Sequence, residues 1–196
     1  MNFYIKKPGF TLAEVLVTLA IIGVIAAITI PTLLQNIDDQ QYKSAWKKAY
    51  ADLSQASMKV IQENGINSYK RAFYGSEDFM NAFGRHLNFT KSCSDTNANG
   101  NCWHKPGEWF HLNKSLVTDN HPDPTLVLSN GTFLRFHYIA DCVEDAGPYF
   151  RCGYIYVDVN GFKKPNMYGK DIYQVNVLEN GIKPLGSEGE VWANSC

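Results

Sequence analysis

The chain has 196 residues, with 18 Lys plus Arg against 19 Asp plus Glu and a formal charge of −1. That balance lacks the basic excess that binds nucleic acid through its phosphates, so no nucleic-acid partner is expected. A hydrophobic content of 45% with 13% aromatics argues against a disordered solvating polypeptide and fits one apolar span plus one packed domain.

The first nine residues, Met1 to Gly9, form a short basic leader carrying Lys6 and Lys7. An apolar run from Phe10 to Ile30 follows, long enough to cross a bilayer as a helix. Its only charged side chain is Glu14. An ordinary secretory signal has a shorter apolar core and a small-residue cleavage site. A permanent single-span anchor has no reason to bury a carboxylate in lipid, where an ionised group is unfavourable. A segment that meets a cationic partner inside the membrane does. Lys6 and Lys7 precede the run, and Asp38 and Asp39 follow it. The positive-inside rule therefore places the leader in the cytoplasm and the bulk of the chain outside.

Past Pro31, apolar or small residues recur at Leu34, Ile37, Tyr42, Ala45, Trp46, Ala49, Leu53, Ala56 and Val60, with Lys43, Lys47, Lys48, Gln55 and Lys59 on much of the opposite side. This is helical spacing. Asn64-Gly65 provides a stop. One helix from Phe10 to Asn64 is predicted, kinked at Pro31 and loosened at Gly23. Its parts are a membrane and assembly segment over 10–30 and an amphipathic continuation over 31–64. Residues 65–196 form the head. Arg71 to His86 reads as a short helix, and 88–124, rich in Asn, Asp, Ser, Pro and Gly, as a variable surface loop. Thr125–Leu128 and Thr132–Ile139 flank Ser129-Asn130-Gly131, a strong hairpin signal. Gly153–Val159 is a further strand. Tyr173–Leu178 and Ile182-Lys183 flank a weaker turn at Glu179-Asn180-Gly181. About four antiparallel strands are expected, giving an α+β protein without internal repeats.

The stretch Lys6-Lys7-Pro8-Gly9-Phe10-Thr11-Leu12-Ala13-Glu14-Val15-Leu16-Val17-Thr18-Leu19-Ala20-Ile21-Ile22-Gly23 resembles the N-terminus of class III prepilins, the type IV pilins and the pseudopilins of type II secretion. The resemblance covers about the first 35 residues, and the C-terminal part is similar more loosely. It implies cleavage by a prepilin peptidase between Gly9 and Phe10 and N-methylation of Phe10. It implies that Glu14 pairs with the N-terminal amine of a neighbouring subunit during assembly, and that Pro31 is the family's helix-bending proline. Glu14 lies about 6 Å along a helix from Phe10, and a buried charge is tolerable when paired. The implied fold is type IV pilin-like, a long N-terminal helix packed on an antiparallel sheet. The implied partners are copies of itself and other pilins or pseudopilins, the peptidase, an inner-membrane assembly platform, and membrane lipid before assembly. The implied location is the bacterial inner membrane, with a periplasmic or extracellular head, and the filament after assembly. A minor tip subunit binding DNA or a surface ligand, and a membrane-anchored domain that never polymerises, are the alternatives.

Cys93, Cys102, Cys142, Cys152 and Cys196 all fall outside the membrane on this topology, where disulfides form. Cys93–Cys102 and Cys142–Cys152 are the preferred pairs, each closing a short loop. Cys196 is left to stay reactive or to pair with an earlier cysteine, as C-terminal disulfides do in many type IV pilins. His104 after Cys102, with His111 nearby, makes zinc a rival reading. The disulfides and the long loop lean toward a pilus, whose surface meets shear and proteases.

Two strings of oxygen-bearing side chains are the calcium candidates. Asp95, Asn97 and Asn99 before Gly100 match the front half of such a loop, but the twelfth position is Pro106 rather than Glu. Asp158, Asn160, Asn166 and Asp171 belong to a string that resembles one in the C-terminal regions of many prepilin-type proteins; some secretion pseudopilins bind calcium in a C-terminal loop, which does not align with this string residue by residue. The competing reading of both is Asx-turn chemistry. No cofactor is required, and calcium is the one candidate. The chain has no Gly-x-Ser-x-Gly elbow, no His-Glu-x-x-His and no phosphate-binding glycine loop. His137 alternates within a predicted strand as a half-buried side chain. A non-enzymatic, structural role is expected.

Overall fold

The structure is a computed structural model that describes residues 9–65, 68–118, 122–144 and 150–185. The leader before Gly9 and Cys196 lie outside the described residues. The chain divides into two units, Met1–Gln41 and Tyr42–Cys196.

The first unit is helical. Helix α1 (Leu12–Asn64) begins here, with Pro31 inside it. The proline nitrogen has no hydrogen to donate to Ala27, one turn back. An 18-residue window of α1 reaches a mean hydropathy of 2.5, with none of it buried within the protein. This is a helix long and apolar enough to cross a membrane. Its hydroxyls turn back on their own backbone. Thr18 Oγ1 donates to Val15 O at 2.9 Å, and Thr29 Oγ1 to Ile25 O at 3.0 Å. The stripe therefore offers lipid no orphaned hydroxyl. Leu34 and Ile37, expected on a core face, are exposed at 55% and 41%, and Ala49 is the first buried residue of the helix among the described residues.

The head is built on one six-stranded sheet, β1 (Phe89–Cys93), β2 (Thr125–Leu128), β3 (Phe133–Glu144), β4 (Phe150–Asp158), β5 (Ile172–Leu178) and β6 (Gly181–Pro184). Its strands lie in sequence order, each antiparallel to the next. Helix α2 (Ser76–Gly84) packs on β3 and β2. Side chains alternate across a strand, and the sheet uses both faces. Leu134, Phe136 and Tyr138 of β3, with Ile155, Val157, Val175 and Val177, share one core with Ala49, Leu53, Ala56 and Val60 of α1 and with Phe79, Met80 and Phe83 of α2. The register places Phe136, Ile155 and Val175 in one row. Leu53 and Val60 are fully buried, and Leu53→Ala would destabilise the head by about 2–5 kcal/mol. Gly65, at φ 59°, ends α1 in the left-handed region.

Two expectations are corrected. The sheet has six strands, because β1 pairs with β2 out of a stretch whose composition signals a loop and β6 is only four residues long. The segment 88–124 is not merely a surface loop. Trp103, Trp109 and Val117 fold onto the second face of the sheet against Phe133, Tyr156 and Ile172, and both tryptophans are buried to 1% exposure or less. An indole burying its full area outweighs the loop-forming composition around it.

Candidate functional site

The start of α1 is a capping box. An α-helix leaves its first N–H groups without partners, and a Thr at the N-cap with Glu three residues on satisfies them reciprocally. Thr11 and Glu14 do this. The Thr11 backbone N–H donates to Glu14 Oε2 at 2.9 Å, and Thr11 Oγ1 donates to the same oxygen at 2.8 Å. The Glu14 N–H donates back to Thr11 Oγ1 at 3.3 Å. The sequence reading missed this role, although the signal is plain in Thr11-Leu12-Ala13-Glu14 ahead of an apolar run. Gly9 and Phe10 stand exposed just before the cap, outside any regular element. The Gly9–Phe10 bond is thus accessible on the N-terminal side of the first turn.

Cys93–Cys102 and Cys142–Cys152 are disulfides. Cys102 is therefore not available to zinc, and His104 is committed elsewhere. Asp95, Asn97 and Asn99 lie on the turn closed by the first disulfide, with Asp95–Asn97 in a 3-10 turn and Asp95 and Asn97 exposed.

The loop after β4 is organised around two buried carboxylates. Asp158 Oδ2 lies 2.5 Å from His104 Nε2, while Asp158 Oδ1 accepts the N–H groups of Asn160 at 3.0 Å and Gly161 at 2.9 Å. Asp171 accepts Asn166 N–H at 2.8 Å on Oδ2 and Met167 N–H at 2.6 Å on Oδ1. These are the Asx-turn contacts that pin a strand connection. Burial pushes the Asp158 carboxyl up. The hydrogen bond and charge of His104 and the Asn160 N–H oppose that rise, and the Asp171 charge adds to it. Two acceptors of the same loop, Asn160 Oδ1 and Asn166 Oδ1, are buried without a hydrogen-bond partner. No cluster of three or more His, Cys, Asp or Glu side chains that could hold a metal occurs among the described residues.

His137 is half-buried, its Nδ1 2.8 Å from Asp123 Oδ1, and it stacks on Tyr154 with ring centroids 4.5 Å apart. Arg135 is buried with its Nε 3.6 Å from Asp123 Oδ2, under Trp103. This polar group ties β3 to the segment before β2. Sequence reasoning missed Arg135 because nothing in an alternating strand marks a buried arginine. Tyr69 is perturbed as well. Its hydroxyl lies 2.8 Å from Ser57 Oγ, and burial pushes it up to about 12 against the lowering effect of that hydrogen bond.

A basic leader, an exposed Gly-Phe bond, the Thr11–Glu14 capping box and the start of a long apolar helix stand together at this end of the chain. Residues 6–30 match the family model described as the prokaryotic N-terminal methylation motif. The chain is also similar to type II secretion system core protein G from three bacteria. It is 37% identical to the proteins of Escherichia coli (strain K12) and Vibrio cholerae serotype O1 and 34% identical to that of Aeromonas hydrophila, in each case over 65 residues. Each match covers 33% of this chain and 38% of the relative, so the chain spans well under half the length of the curated relatives it matches. No solved structure matches the chain.

Proposed function

We propose that the chain is a structural subunit of a pilin-like filament, and specifically of a type II secretion pseudopilus. The observation that carries this is the methylation motif at residues 6–30 lying on a helix that continues from Leu12 to Asn64 into the folded head. Cleavage after Gly9 frees a cationic amine on Phe10. The processed helix sits in the inner membrane with the head on the far side. It leaves the bilayer when its apolar stripe packs against the helices of neighbouring copies, and Glu14 meets a neighbour's amine. The role is non-enzymatic. The disulfides suit a pilus surface as well, but the similarity to core protein G of the secretion system favours the pseudopilus.

The first test is intact mass and N-terminal peptide mapping of the chain from its host's membranes. A chain starting at N-methylated Phe10 supports the reading, and one still starting at Met1 overturns it. Two substitutions then separate the roles of Glu14. Glu14→Gln keeps an oxygen acceptor for the cap but removes the charge. Thr11→Ala keeps the charge and removes half of the box, at about 1 kcal/mol of helix stability. Charge pairing requires filament incorporation to collapse in Glu14→Gln and to persist, reduced, in Thr11→Ala. Equal behaviour of the two would leave Glu14 with a capping role alone.

A second reading concerns calcium, and the loop of residues 158–171 is the better of the two candidates. Its support is the pair of buried carbonyl oxygens, Asn160 Oδ1 and Asn166 Oδ1, that lack a hydrogen-bond donor. Hard cations take such oxygens. Asp158 and Asp171 would supply charge through lone pairs not used by backbone amides, and a bound ion would rigidify the strand connection. Millimolar calcium should raise the melting temperature of the wild-type head and not that of Asn166→Ala. No shift in the wild type removes the proposal.

A further inference from the structure

A filament of identical copies needs two different, complementary surfaces on each copy. A self-complementary patch closes into a dimer, whereas a head-to-tail contact propagates. The head carries two clefts of opposite character at the two ends of the β1–β2 ladder. The first, about 320 Å3, is flanked by Lys48 and Lys59 of α1, with His86 and Asn88 ahead of β1 and Asn130 just past β2. The second, about 490 Å3, is lined by Glu77 and Asp78 in the first turn of α2, by Asp95 beyond β1 and by Pro124 ahead of β2.

Because β1 and β2 are antiparallel, residues before β1 and after β2 lie at one end of the pair. Residues after β1 and before β2 lie at the other. The same holds for α2, whose C-terminal exit faces the first cleft and whose N-terminal turn faces the second. The two clefts are therefore displaced along the strand direction. Lys48 and Lys59 share one flank of α1, about three turns apart. Among the described residues none of Lys48, Lys59, Glu77 or Asp95 enters an ion pair. Asp52 tempers the first cleft, but no lysine or arginine lines the second. At the rim of the acidic cleft stands Tyr74, a fully exposed aromatic of the kind that anchors protein interfaces.

We propose that the acidic cleft of one copy seats the lysine flank of the next, with Tyr74 as the anchor, so that heads stack head-to-tail along the strand direction. The occupant of each cleft is thus a second copy of this chain. This rests on the filament reading above. The contact is polar and exposed, and it should weaken with salt.

The test uses the full-length chain in its own host, reading the fraction recovered in sheared filaments together with N-methylation of Phe10. Lys48→Glu with Lys59→Glu should lower recovery about tenfold, and so should Glu77→Lys with Asp95→Lys, the loss expected of a few exposed charge pairs at each contact. All four together restore complementarity between copies and should bring recovery back to within about twofold of wild type. N-methylation should be unchanged throughout, because every altered residue is exposed and far in sequence from the cleavage site. Tyr74→Ala, which alters no charge, should also lower recovery. Wild-type recovery in both charge reversals overturns the proposal. Losses that the fourfold variant fails to repair overturn it as well, and point to a different protein in the clefts. A wild-type chain that is never N-methylated and enters no filament overturns the filament reading itself and this inference with it.

Discussion

Tyr69 makes the head alkali-sensitive in a way that can be worked out in advance. Its ring is fully buried, edge-on to Phe79 at 6.0 Å. Its hydroxyl lies between Ser57 Oγ at 2.8 Å and Ser57 O at 3.2 Å. Burial disfavours the phenolate and pushes the group up to about 12, against about 10 in an unfolded chain. The folded state then holds its proton more tightly, and stability falls wherever the unfolded state releases protons first. The contribution is whole below about pH 10, declines through the window from 10 to 12, and is gone above it. Two pH units correspond to about 2.7 kcal/mol in full and about 1.4 kcal/mol at pH 11. Tyr69→Phe removes the titration but also a buried hydrogen bond worth about 1 kcal/mol. Wild type should therefore be the more stable at pH 7 by about 1 kcal/mol, the two should cross near pH 11, and the variant should be the more stable at pH 12. Urea unfolding of the head, followed by the fluorescence of its tryptophans within minutes of a pH jump, measures both. The other ten tyrosines and all lysines are common to the two proteins, so the difference between them isolates position 69. A gap that stays constant from pH 7 to 12 would refute the assignment of the shift to burial of Tyr69.

Two further substitutions probe the head. Gly153 has φ 152°, and a Cβ there would meet His137 O at 2.2 Å. Gly153→Ala should thus lower the urea midpoint by the equivalent of about 2–4 kcal/mol, and an unchanged midpoint would show that β3 and β4 separate freely at this bulge. His104→Ala leaves the Asp158 carboxyl buried without its imidazole partner. It should destabilise by about 3–5 kcal/mol, a fall in Tm of roughly 10 °C, and a Tm within 2 °C of wild type would mean that Asp158 is held by its amide contacts alone.

Much of the fold was legible in the chain, for reasons that are local. The Leu53, Ala56 and Val60 spacing marks the buried stripe of α1 because helical periodicity survives in a single sequence. Asn130-Gly131 marks the β2–β3 turn because few residues accept its backbone. What was not legible is long-range. The pairing of β1 with β2 joins segments more than thirty residues apart, and a short strand with four exposed residues has no apolar alternation to reveal it. Trp103 and Trp109 lie among Asn, Gly, Pro and Lys residues that read as loop, and only the second face of the sheet explains their burial. Leu34 and Ile37 failed in the opposite sense. Their spacing is right for a core face, yet they are exposed at 55% and 41%, and the spacing of a single helix does not say what covers it. At the calcium candidates the sequence supplied the oxygen donors but not their use, since the partners of Asp158 include a histidine fifty-four positions away.

Glu14 shows how one side chain serves both the single chain and the proposed assembly. The capping box draws on a single carboxylate oxygen, because the Thr11 N–H and Thr11 hydroxyl both donate to Oε2. Oε1 accepts no hydrogen bond among the described residues, so a neighbour's ammonium can approach it without opening the box. In the monomer the box partly satisfies the carboxylate and lessens the penalty of holding it in lipid. In the proposed filament the same box would fix the rotamer and aim Oε1 in a set direction before the partner arrives. The order in orientation is then already present when the pair forms, and less side-chain entropy is lost at that step. A threonine at position 11 is thus not a passive neighbour of the proposed cleavage site. It is the residue that lets a membrane helix carry a charge without exposing both of its oxygens unsatisfied to the bilayer.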